Sequence, residues 1–340
     1  MSIRNFVKGG VVVATLLTAL ALYRPANAQA LQGAGATFPA PIYSKWFADY
    51  AKATGTTINY QAVGSGQGYN SLKTQTVDFA ASDSPLSASE EAALPGPVVH
   101  IPTVGGAVAL AYNLPGINGL KLTGDAVAGI FMGRIKTWND PAIQASNPGV
   151  NLPATVIHPV HRTDGSGTTY IFTHYLKKVS PAWATQVGAG KSVEWPAGGF
   201  GGKGSDGVAA DVQRTMGGIG YVELNYAIEH KLPYASVKNK AGKFIAPSAD
   251  STAAAISQYA AELNKDIKTP TVDAPGANSY PICSVTYILV YKNSPKGAAV
   301  AKLWSWAMQA GPQAEAKTLY YAPLPSGLVK INQATLKQLR

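Results

Sequence analysis

The side chains that could do chemistry lie in four short polar stretches of the chain. These stretches supply hydroxyls, backbone N–H groups and one guanidinium. They are Thr37-Phe38, Ser65 within GSGQG, Ser82-Asp83, and Arg162 with the run Gly165-Ser166-Gly167-Thr168. A guanidinium grips two oxygens at once, and hydroxyls and amides add further donors. Many donors around one full positive charge suit a small tetrahedral oxyanion.

Asp83 adds an acceptor to this set of donors. A carboxylate beside a bound anion is repulsive unless the anion carries a proton that the two can share. Hydrogen phosphate carries such a proton, whereas sulfate at neutral pH presents only bare oxygens. A buried contact that stays unmet lowers affinity strongly, so the sequence predicts selection for a protonated oxyanion. Asp164, two residues after Arg162, is predicted to form an ion pair with the guanidinium and to fix its orientation.

Strand and helix patterns place these residues at the ends of regular elements. The runs TINYQAV, TVDFAA and ATVIHPVHR predict strands that end before Gly64, at Ser82 and at Arg162. Apolar residues between positions 171 and 179 recur at helical spacing and predict a helix that begins near Ser166. The N–H groups of a helix N-terminus have no intrahelical partner and carry a positive dipole. An anion is therefore expected to bind there.

Each stretch also has a less specific interpretation. GSGT and GSGQG are common surface turns. Asp83 with the following Ser84-Pro85 could cap a helix or form a turn, and Asp164 could be the N-cap of the helix. The anion-site interpretation depends on four such junctions fitting one small ligand. Open α/β sheets bind ligands beyond the carboxyl ends of their strands, which is where these junctions are predicted to lie.

Composition indicates an exported globular protein of about two domains. The chain has 340 residues, of which 46% are hydrophobic and 14% are charged. Arg4 and Lys8 precede an apolar stretch at 11–23 that is too short to span a bilayer, and RPANAQA then offers small residues for signal peptidase. Residues 1–28 are therefore predicted to be a signal peptide, cut after Ala28 or, as the second choice, after Ala30.

Charge and cysteine content narrow the class of function. The formal net charge is +10, but the lysines are scattered and form no dense basic run of the kind that binds nucleic acid. Cys283 is the only cysteine, so no intramolecular disulfide is possible, and its apolar surroundings predict a buried, inert thiol. We expect no nucleic-acid partner and no lipidated N-terminal cysteine.

Two long β-like runs, at 100–113 and 280–292, look like crossings between domains. The rest of the mature chain alternates strand and helix patterns, which indicates an α/β protein with largely parallel sheets. If the two runs pair as a two-strand hinge, residues 29–106 plus 284–340 form lobe I and residues 107–283 form lobe II.

Motifs for other functions are incomplete. Residues 202–207 match G-x-G-x-x-G, but the sequence shows no convincing βαβ unit and no ribose-binding acid there, so a dinucleotide site is not expected. No G-x-S-x-G elbow presents a serine nucleophile, and the histidines lack the spacing of metal ligands. The chain is therefore expected to be no enzyme and to use no cofactor and no metal.

Six motifs, in order along the mature chain, resemble those of a known family. They are GAGATFPAPIYSKW, NYQAVGSGQG, VDFAASDSPLS, RTDGSGTTYIFTHYL, GGKGSDGVAADVQ and IGYVE. The chain is similar to the periplasmic phosphate-binding proteins of bacterial phosphate ABC transporters, the PstS family. The resemblance implies the α/β, two-lobed type II periplasmic binding fold with a two-strand hinge. It also implies that the lobes close over inorganic phosphate and deliver it to an inner-membrane ABC permease.

The resemblance further implies a set of ligand residues. By position in these motifs, the phosphate-binding residues would be Thr37, Phe38 through its N–H, Ser65, Asp83, Arg162, Ser166, Gly167 and Thr168. Asp164 takes the place of the arginine-anchoring aspartate. The chain departs from relatives at His161, where a second arginine is usual, and at Gly66, where some have serine, but neither is a ligand position. A periplasmic monomer is expected, with a phosphate sensor or scavenger and a product-retaining phosphatase as alternatives.

Overall fold

Strands and helices alternate along the chain in the computed structural model, which describes residues 30–339. The predicted signal peptide at 1–28 lies outside the described residues. The strands are β1 (Leu31–Gly35), β2 (Ile58–Ala62), β3 (Phe79–Ser82), β4 (Val98–Tyr112), β5 (Lys121–Leu122), β6 (His158–Arg162), β7 (Phe200–Gly202), β8 (Gly218–Glu223), β9 (Ser236–Lys238), β10 (Phe244–Ile245) and β11 (Cys283–Tyr291). This order confirms the predicted α/β class.

Helices fill the connections between these strands. They are α1 (Ala40–Thr54), α2 (Ser65–Lys73), α3 (Ala88–Ala92), α4 (Gly124–Phe131), α5 (Pro141–Gln144), α6 (Gly167–Val179), α7 (Pro181–Gln186), α8 (Gly204–Arg214), α9 (Leu224–Glu229), α10 (Ala249–Gln258), α11 (Ala260–Lys265), α12 (Gly297–Ala307), α13 (Ala310–Glu315) and α14 (Ser326–Leu336), with a 3₁₀ helix at Ala316–Leu319. Within residues 30–339, none of the helices combines the length and the apolar character that a bilayer crossing requires.

One mixed sheet of eight strands organises the molecule, in the order β2-β1-β3-β11-β4-β8-β6-β7. The outer strands form two parallel groups, β2-β1-β3 and β8-β6-β7. The central pair β11 and β4 runs antiparallel to its neighbours and joins the two groups. The prediction of parallel strands therefore holds for the two outer groups, whereas the centre of the sheet is antiparallel. A small second sheet contains β10, β9 and β5.

The two long runs singled out in the sequence are the central strands of this sheet. β4 and β11 pair with each other in antiparallel register, which shifts between Thr286 and Tyr287. Every residue of β11 except Tyr291 is buried, as is every residue of β4 except Val98. The strands therefore pair as the hinge prediction requires. The lobe boundaries at 106/107 and 283/284 stay a prediction. α10 packs against β4 and β11, and α11 packs against α14.

Separate aromatic clusters cover the two ends of the sheet. One cluster packs α1 and α12 onto β2 and β3, and it contains Tyr43, Phe47, Tyr60, Phe79 and Trp304. The other contains Phe131, Phe172, Trp195 and Tyr221 around β8 and α6. Each fully buried aromatic side chain contributes about 1.5–3 kcal/mol. Each parallel group of strands therefore packs against its own aromatic cluster within one continuous hydrophobic core.

Local capping decides where α6 begins. The Ser166 side chain accepts a hydrogen bond from the Thr169 N–H at 3.0 Å, which makes Ser166 the N-cap. A serine in this position satisfies one of the N–H groups that the first turn leaves without partners. The helix therefore starts at Gly167, where the periodicity predicts it. The alternative that Asp164 is the N-cap is wrong.

Cys283 lies at the start of β11 and is fully buried. Burial raises the pKa of its thiol to about 12. Since the thiolate is the reactive form, a thiol with such a pKa is poorly nucleophilic at neutral pH. The prediction of a buried thiol at this position is confirmed.

Candidate functional site

Polar residues lie at or just after the carboxyl ends of the six outer strands, on both sides of the cleft between the two parallel groups, and all of them are buried. In strand order β1, β2, β3, β6, β7 and β8 they are Thr37, Ser65, Asp83, Arg162, Ser205 and Glu223. The most exposed of them, Thr37, has 7% of its surface accessible. Buried polar groups require hydrogen-bond partners in the protein or in a ligand. The sheet topology therefore creates a polar site inside the molecule.

Ser65 joins the two sides of this cleft. Its Oγ accepts hydrogen bonds from the Gly167 N–H at 3.1 Å and the Asp83 N–H at 3.3 Å. Because two N–H donors occupy the lone pairs of the hydroxyl, its own proton remains for an acceptor. A Cβ atom at Gly167 would lie 2.5 Å from Ser65 Oγ and 2.6 Å from Asp83 Oδ2, so the approach requires glycine. Beside it, the Gly66 N–H donates to the Gly165 carbonyl at 2.8 Å.

Arg162 and Asp164 form a two-bond ion pair at the end of β6. Arg162 Nε donates to Asp164 Oδ1 at 2.7 Å, and Nη2 donates to Oδ2. Burial acts to raise the pKa of Asp164, but the guanidinium more than offsets it and holds that pKa below its ordinary value. The remaining nitrogen, Nη1, lies 3.3 Å from Thr168 Oγ1 and 3.5 Å from Ser205 Oγ. Because the pair is neutral overall, a guest anion would depend on fixed dipoles and hydrogen bonds for most of its stabilisation.

The two carboxyl oxygens of Asp83 have different surroundings. Oδ1 accepts a hydrogen bond from Thr286 Oγ1 at 2.7 Å. Oδ2 lies on the side of Gly167, across the cleft. Burial raises the pKa of Asp83 to about 7, although Thr286 and Arg162 act to lower it. A carboxyl group with this pKa titrates near neutral pH. Its orientation presents one oxygen, Oδ2, to the cleft.

Two tyrosines anchor the loop that carries Thr37 and Phe38. Tyr226 Oη donates to the Thr37 carbonyl at 2.7 Å, and Tyr321 Oη donates to the Phe38 carbonyl at 2.6 Å. Tyr321 Oη also lies 3.0 Å from Glu223 Oε2. Burial raises the pKa of Glu223 well above its ordinary value, and its Oε2 also accepts a hydrogen bond from the Asn225 N–H at 2.8 Å. The peptide units at 37 and 38 are thereby fixed in orientation.

The structure brings the predicted ligand residues into one region. All of them are buried, and they are Thr37, Phe38, Ser65, Asp83, Arg162, Ser166, Gly167 and Thr168. Ser205 lies within hydrogen-bond distance of both Thr37 and Arg162. Ser65 accepts hydrogen bonds from the N–H groups of both Asp83 and Gly167. Their roles as ligands remain a prediction.

Comparison with known proteins places the chain in a family. A family model described as a PBP superfamily domain matches residues 24–309. The phosphate-binding protein PstS of Xylella fastidiosa is 45% identical over 305 residues, which cover 88% of this chain and 83% of that protein. The chain belongs to the PstS family of phosphate-binding proteins. The PstS protein of Pasteurella multocida is 43% identical over 335 residues, 97% of this chain and 96% of its own length.

The fold of this PstS-family chain also matches solved structures. A high-affinity periplasmic phosphate-binding protein superposes with a TM-score of 0.70 and 23% identity, covering 89% of this chain and 93% of its own. This likeness supports the fold. The two parallel strand groups joined by a central antiparallel pair are the type II periplasmic binding fold that the sequence predicts.

Several residues of this PstS-family site were not predicted from the sequence. They are Ser205, Glu223, Tyr226, Thr286 and Tyr321. The expectation that no βαβ unit surrounds residues 202–207 is wrong, because β7, α8 and β8 form one there. β7 has only three residues, FGG, which show no apolar alternation. The glycine-rich junction with a serine was nevertheless a usable signal, since it resembles the junctions at Ser65 and Ser166.

Lys191 and Glu90 lie at the mouth of the PstS-family cleft. Lys191 Nζ forms an ion pair with Glu90 Oε1 and lies 5.5 Å from the centre of the Tyr69 ring. The Lys191 carbonyl accepts the N–H of Ser166 at 2.9 Å. Lys191, Glu90 and the exposed Lys203 line a cavity of about 560 Å³ that Asp164 also lines. The ion pair connects predicted lobe II to predicted lobe I at the entrance.

Proposed function

We propose that the chain captures one hydrogen phosphate ion in this cleft. The phosphate-binding PstS relatives support the class of ligand. The observation that carries the proposal is the combination of many buried donors with the single Asp83 oxygen that faces across the cleft. The proposed ligand residues are Thr37, Phe38 through its N–H, Ser65, Asp83, Arg162, Ser166, Gly167 and Thr168, and Asp164 positions Arg162.

Selection for phosphate follows from the proton that the guest can share with Asp83. Asp83 Oδ1 is occupied by Thr286, so Oδ2 is the oxygen that meets the guest. Hydrogen phosphate places a P–OH against it, whereas sulfate places a bare oxygen there. When Asp83 is ionised, the second arrangement leaves a buried acceptor unmet and adds repulsion between two negative groups, which lowers the affinity for sulfate. Because the pKa of Asp83 is raised to about 7, this discrimination should grow as the pH rises above 7.

The proposed event is binding without bond cleavage. Ser65 accepts hydrogen bonds from two backbone N–H groups, and its glycine-rich turn lacks the G-x-S-x-G pattern of a serine nucleophile. Closure of lobe I (29–106 plus 284–340) and lobe II (107–283) about β4 and β11 would exchange the hydration of the ion for hydroxyls, amides and Arg162. The product-retaining phosphatase predicts turnover of a chromogenic phosphate ester that Asp83→Ala abolishes, and we expect none.

Delivery of phosphate to an inner-membrane ABC permease completes the proposal. The predicted signal peptide at 1–28 and membership of the PstS family support a periplasmic monomer. Osmotic-shock fractionation tests the location, and phosphate uptake in cells deprived of their own binding protein tests delivery. Phosphate binding without restored uptake would instead favour a sensor or scavenger.

Calorimetric titration of the mature chain with phosphate, sulfate and molybdate tests the binding step. We expect saturable phosphate binding with one ion per chain and no measurable heat from sulfate or molybdate. Absence of phosphate binding contradicts the proposed function. Equal binding of sulfate contradicts the account of selectivity while leaving an anion site in place.

A further inference from the structure

Ser205 occupies a junction of predicted lobe II that contacts predicted lobe I. It is the second residue of α8 and is fully buried. Gly204, which precedes it with φ +68°, donates its N–H to Asp164 Oδ1 at 3.0 Å. The carboxylate that orients Arg162 therefore also holds the first turn of α8. This arrangement fixes the position of Ser205 relative to the guanidinium.

Ser205 makes two contacts with the hydroxyl of Thr37. Its N–H donates to Thr37 Oγ1 at 3.2 Å, and its Oγ lies 3.1 Å from the same atom. Ser205 Oγ in turn lies 3.5 Å from Arg162 Nη1, which can only donate. Two residues of the proposed phosphate site, Thr37 and Arg162, are thus linked through one serine that is outside the predicted ligand set.

The direction of these hydrogen bonds follows from what an oxyanion requires. A hydroxyl has one proton and two lone pairs. Ser65 shows the arrangement, since two N–H groups donate to its oxygen and its proton remains for an acceptor. Thr37 reaches the same state if Ser205 donates both its N–H and its O–H to Thr37 Oγ1. Arg162 then donates to Ser205, Ser205 donates to Thr37, and the Thr37 proton points to the anion.

We propose that Ser205 is a positioning residue that makes the Thr37 hydroxyl a donor to the bound oxyanion and couples this to Arg162 across the cleft. The inference rests on the proposed function and deepens it. Because Thr37 and Ser205 belong to different predicted lobes, the contact contributes to the closed, liganded state and not to the folding of either lobe. Ser205 therefore affects how long the ion is retained.

The first test measures phosphate binding and thermal unfolding of the full mature chain carrying Ser205→Ala. Loss of one hydrogen bond of ordinary strength predicts a Kd for phosphate about tenfold higher, mostly through faster dissociation. The ligand-free Tm should stay within about 2 °C of wild type, since a shift of that size corresponds to little stability in a chain this long. Ser326→Ala, at the exposed start of α14, is the matched control and should change neither quantity.

A double-mutant cycle with Thr37→Val decides how Ser205 acts. If Ser205 works through the Thr37 hydroxyl, Ser205→Ala should add no further loss of affinity once that hydroxyl is absent. An equal loss in both backgrounds overturns the proposal, because Ser205 would then contact the ion itself. Unchanged affinity of the single variant, or a Tm loss that accounts for the weaker binding, overturns it as well. A wild-type chain that binds no phosphate contradicts the proposed function itself and is recognised before any variant is made.

Discussion

Asp83→Asn changes the one acceptor of the cleft into a donor, and the structure determines which way the new amide faces. Thr286 Oγ1 donates to Asp83 Oδ1 at 2.7 Å. An amide in this place keeps its oxygen toward Thr286, because its NH₂ group cannot accept a hydrogen bond. The NH₂ group then occupies the position of Oδ2, on the side of Gly167. The variant should therefore offer a donor where the wild type offers an acceptor.

The expected effect has opposite signs for the two ions. For hydrogen phosphate the variant loses a hydrogen bond to a charged group, worth about 1.5–3 kcal/mol, which weakens binding by about 10- to 150-fold. For sulfate the variant replaces the carboxylate oxygen, which faced an unprotonated sulfate oxygen, with an NH₂ group that can donate a hydrogen bond to it. At about pH 9, roughly two units above the pKa of Asp83, a relief of about 3 kcal/mol corresponds to a gain of roughly 150-fold. The preference for phosphate over sulfate should therefore fall by about a thousandfold or more.

Calorimetric titrations with both ions, at about pH 9, where Asp83 is ionised, and at constant ionic strength, measure this ratio. The control is Asp83→Asn combined with Thr286→Val, which removes the donor that orients the amide. In that background the amide can present either end to the cleft, so the gain for sulfate should be smaller. If the single variant still excludes sulfate while phosphate affinity stays as in wild type, the shared-proton account of selectivity is wrong.

The same variant should alter the pH dependence of ligand-free stability. Burial raises the pKa of Asp83 from 3.8 to about 7. With a raised folded-state pKa, the contribution of this group to stability is complete below its ordinary pKa and is lost as the pH rises through about 7. The loss is at most about 4 kcal/mol, since opening of the cleft hydrates the carboxylate. Thermal unfolding of the ligand-free chain at several pH values should show this decline in wild type and a weaker one in Asp83→Asn.

Three other substitutions test separate parts of the site. Arg162→Ala should raise the phosphate Kd by at least about 100-fold, because it removes charge-assisted donors and leaves a buried carboxylate unpaired; unchanged affinity in calorimetry would remove Arg162 from the site. Lys191→Met, which breaks the ion pair with Glu90, should speed phosphate dissociation about fivefold in stopped flow, whereas Lys203→Met, with the same charge change at the same mouth, should not. Cys283→Ser should leave the phosphate Kd within about twofold, and the native thiol should resist iodoacetamide until the chain unfolds. A large loss of phosphate binding would contradict the interpretation of Cys283 as a buried, inert thiol.

Local patterns in the sequence carried enough information for the elements that hold the site. Apolar residues at helical spacing before Gly55 form the buried face of α1. Ser166, with the apolar face that follows it, marks the start of α6. The two unusually apolar runs that become β4 and β11 stood out because both faces of a central strand are buried. Such features depend on periodicity and capping, which involve neighbours along the chain.

Tertiary structure alone decided which polar groups share the cleft and in what state. Ser205 and Thr286 reach Thr37 and Asp83 over 168 and 203 residues of chain, and no local pattern records such contacts. The short strand β7, without an apolar pattern, forms because β6 offers it a partner. The sequence by itself determined the types of donor and acceptor, the strand ends that carry them and the family. The orientation of the Asp83 oxygens and the raised pKa values of Asp83 and Glu223 required the fold, because burial and distant partners set them.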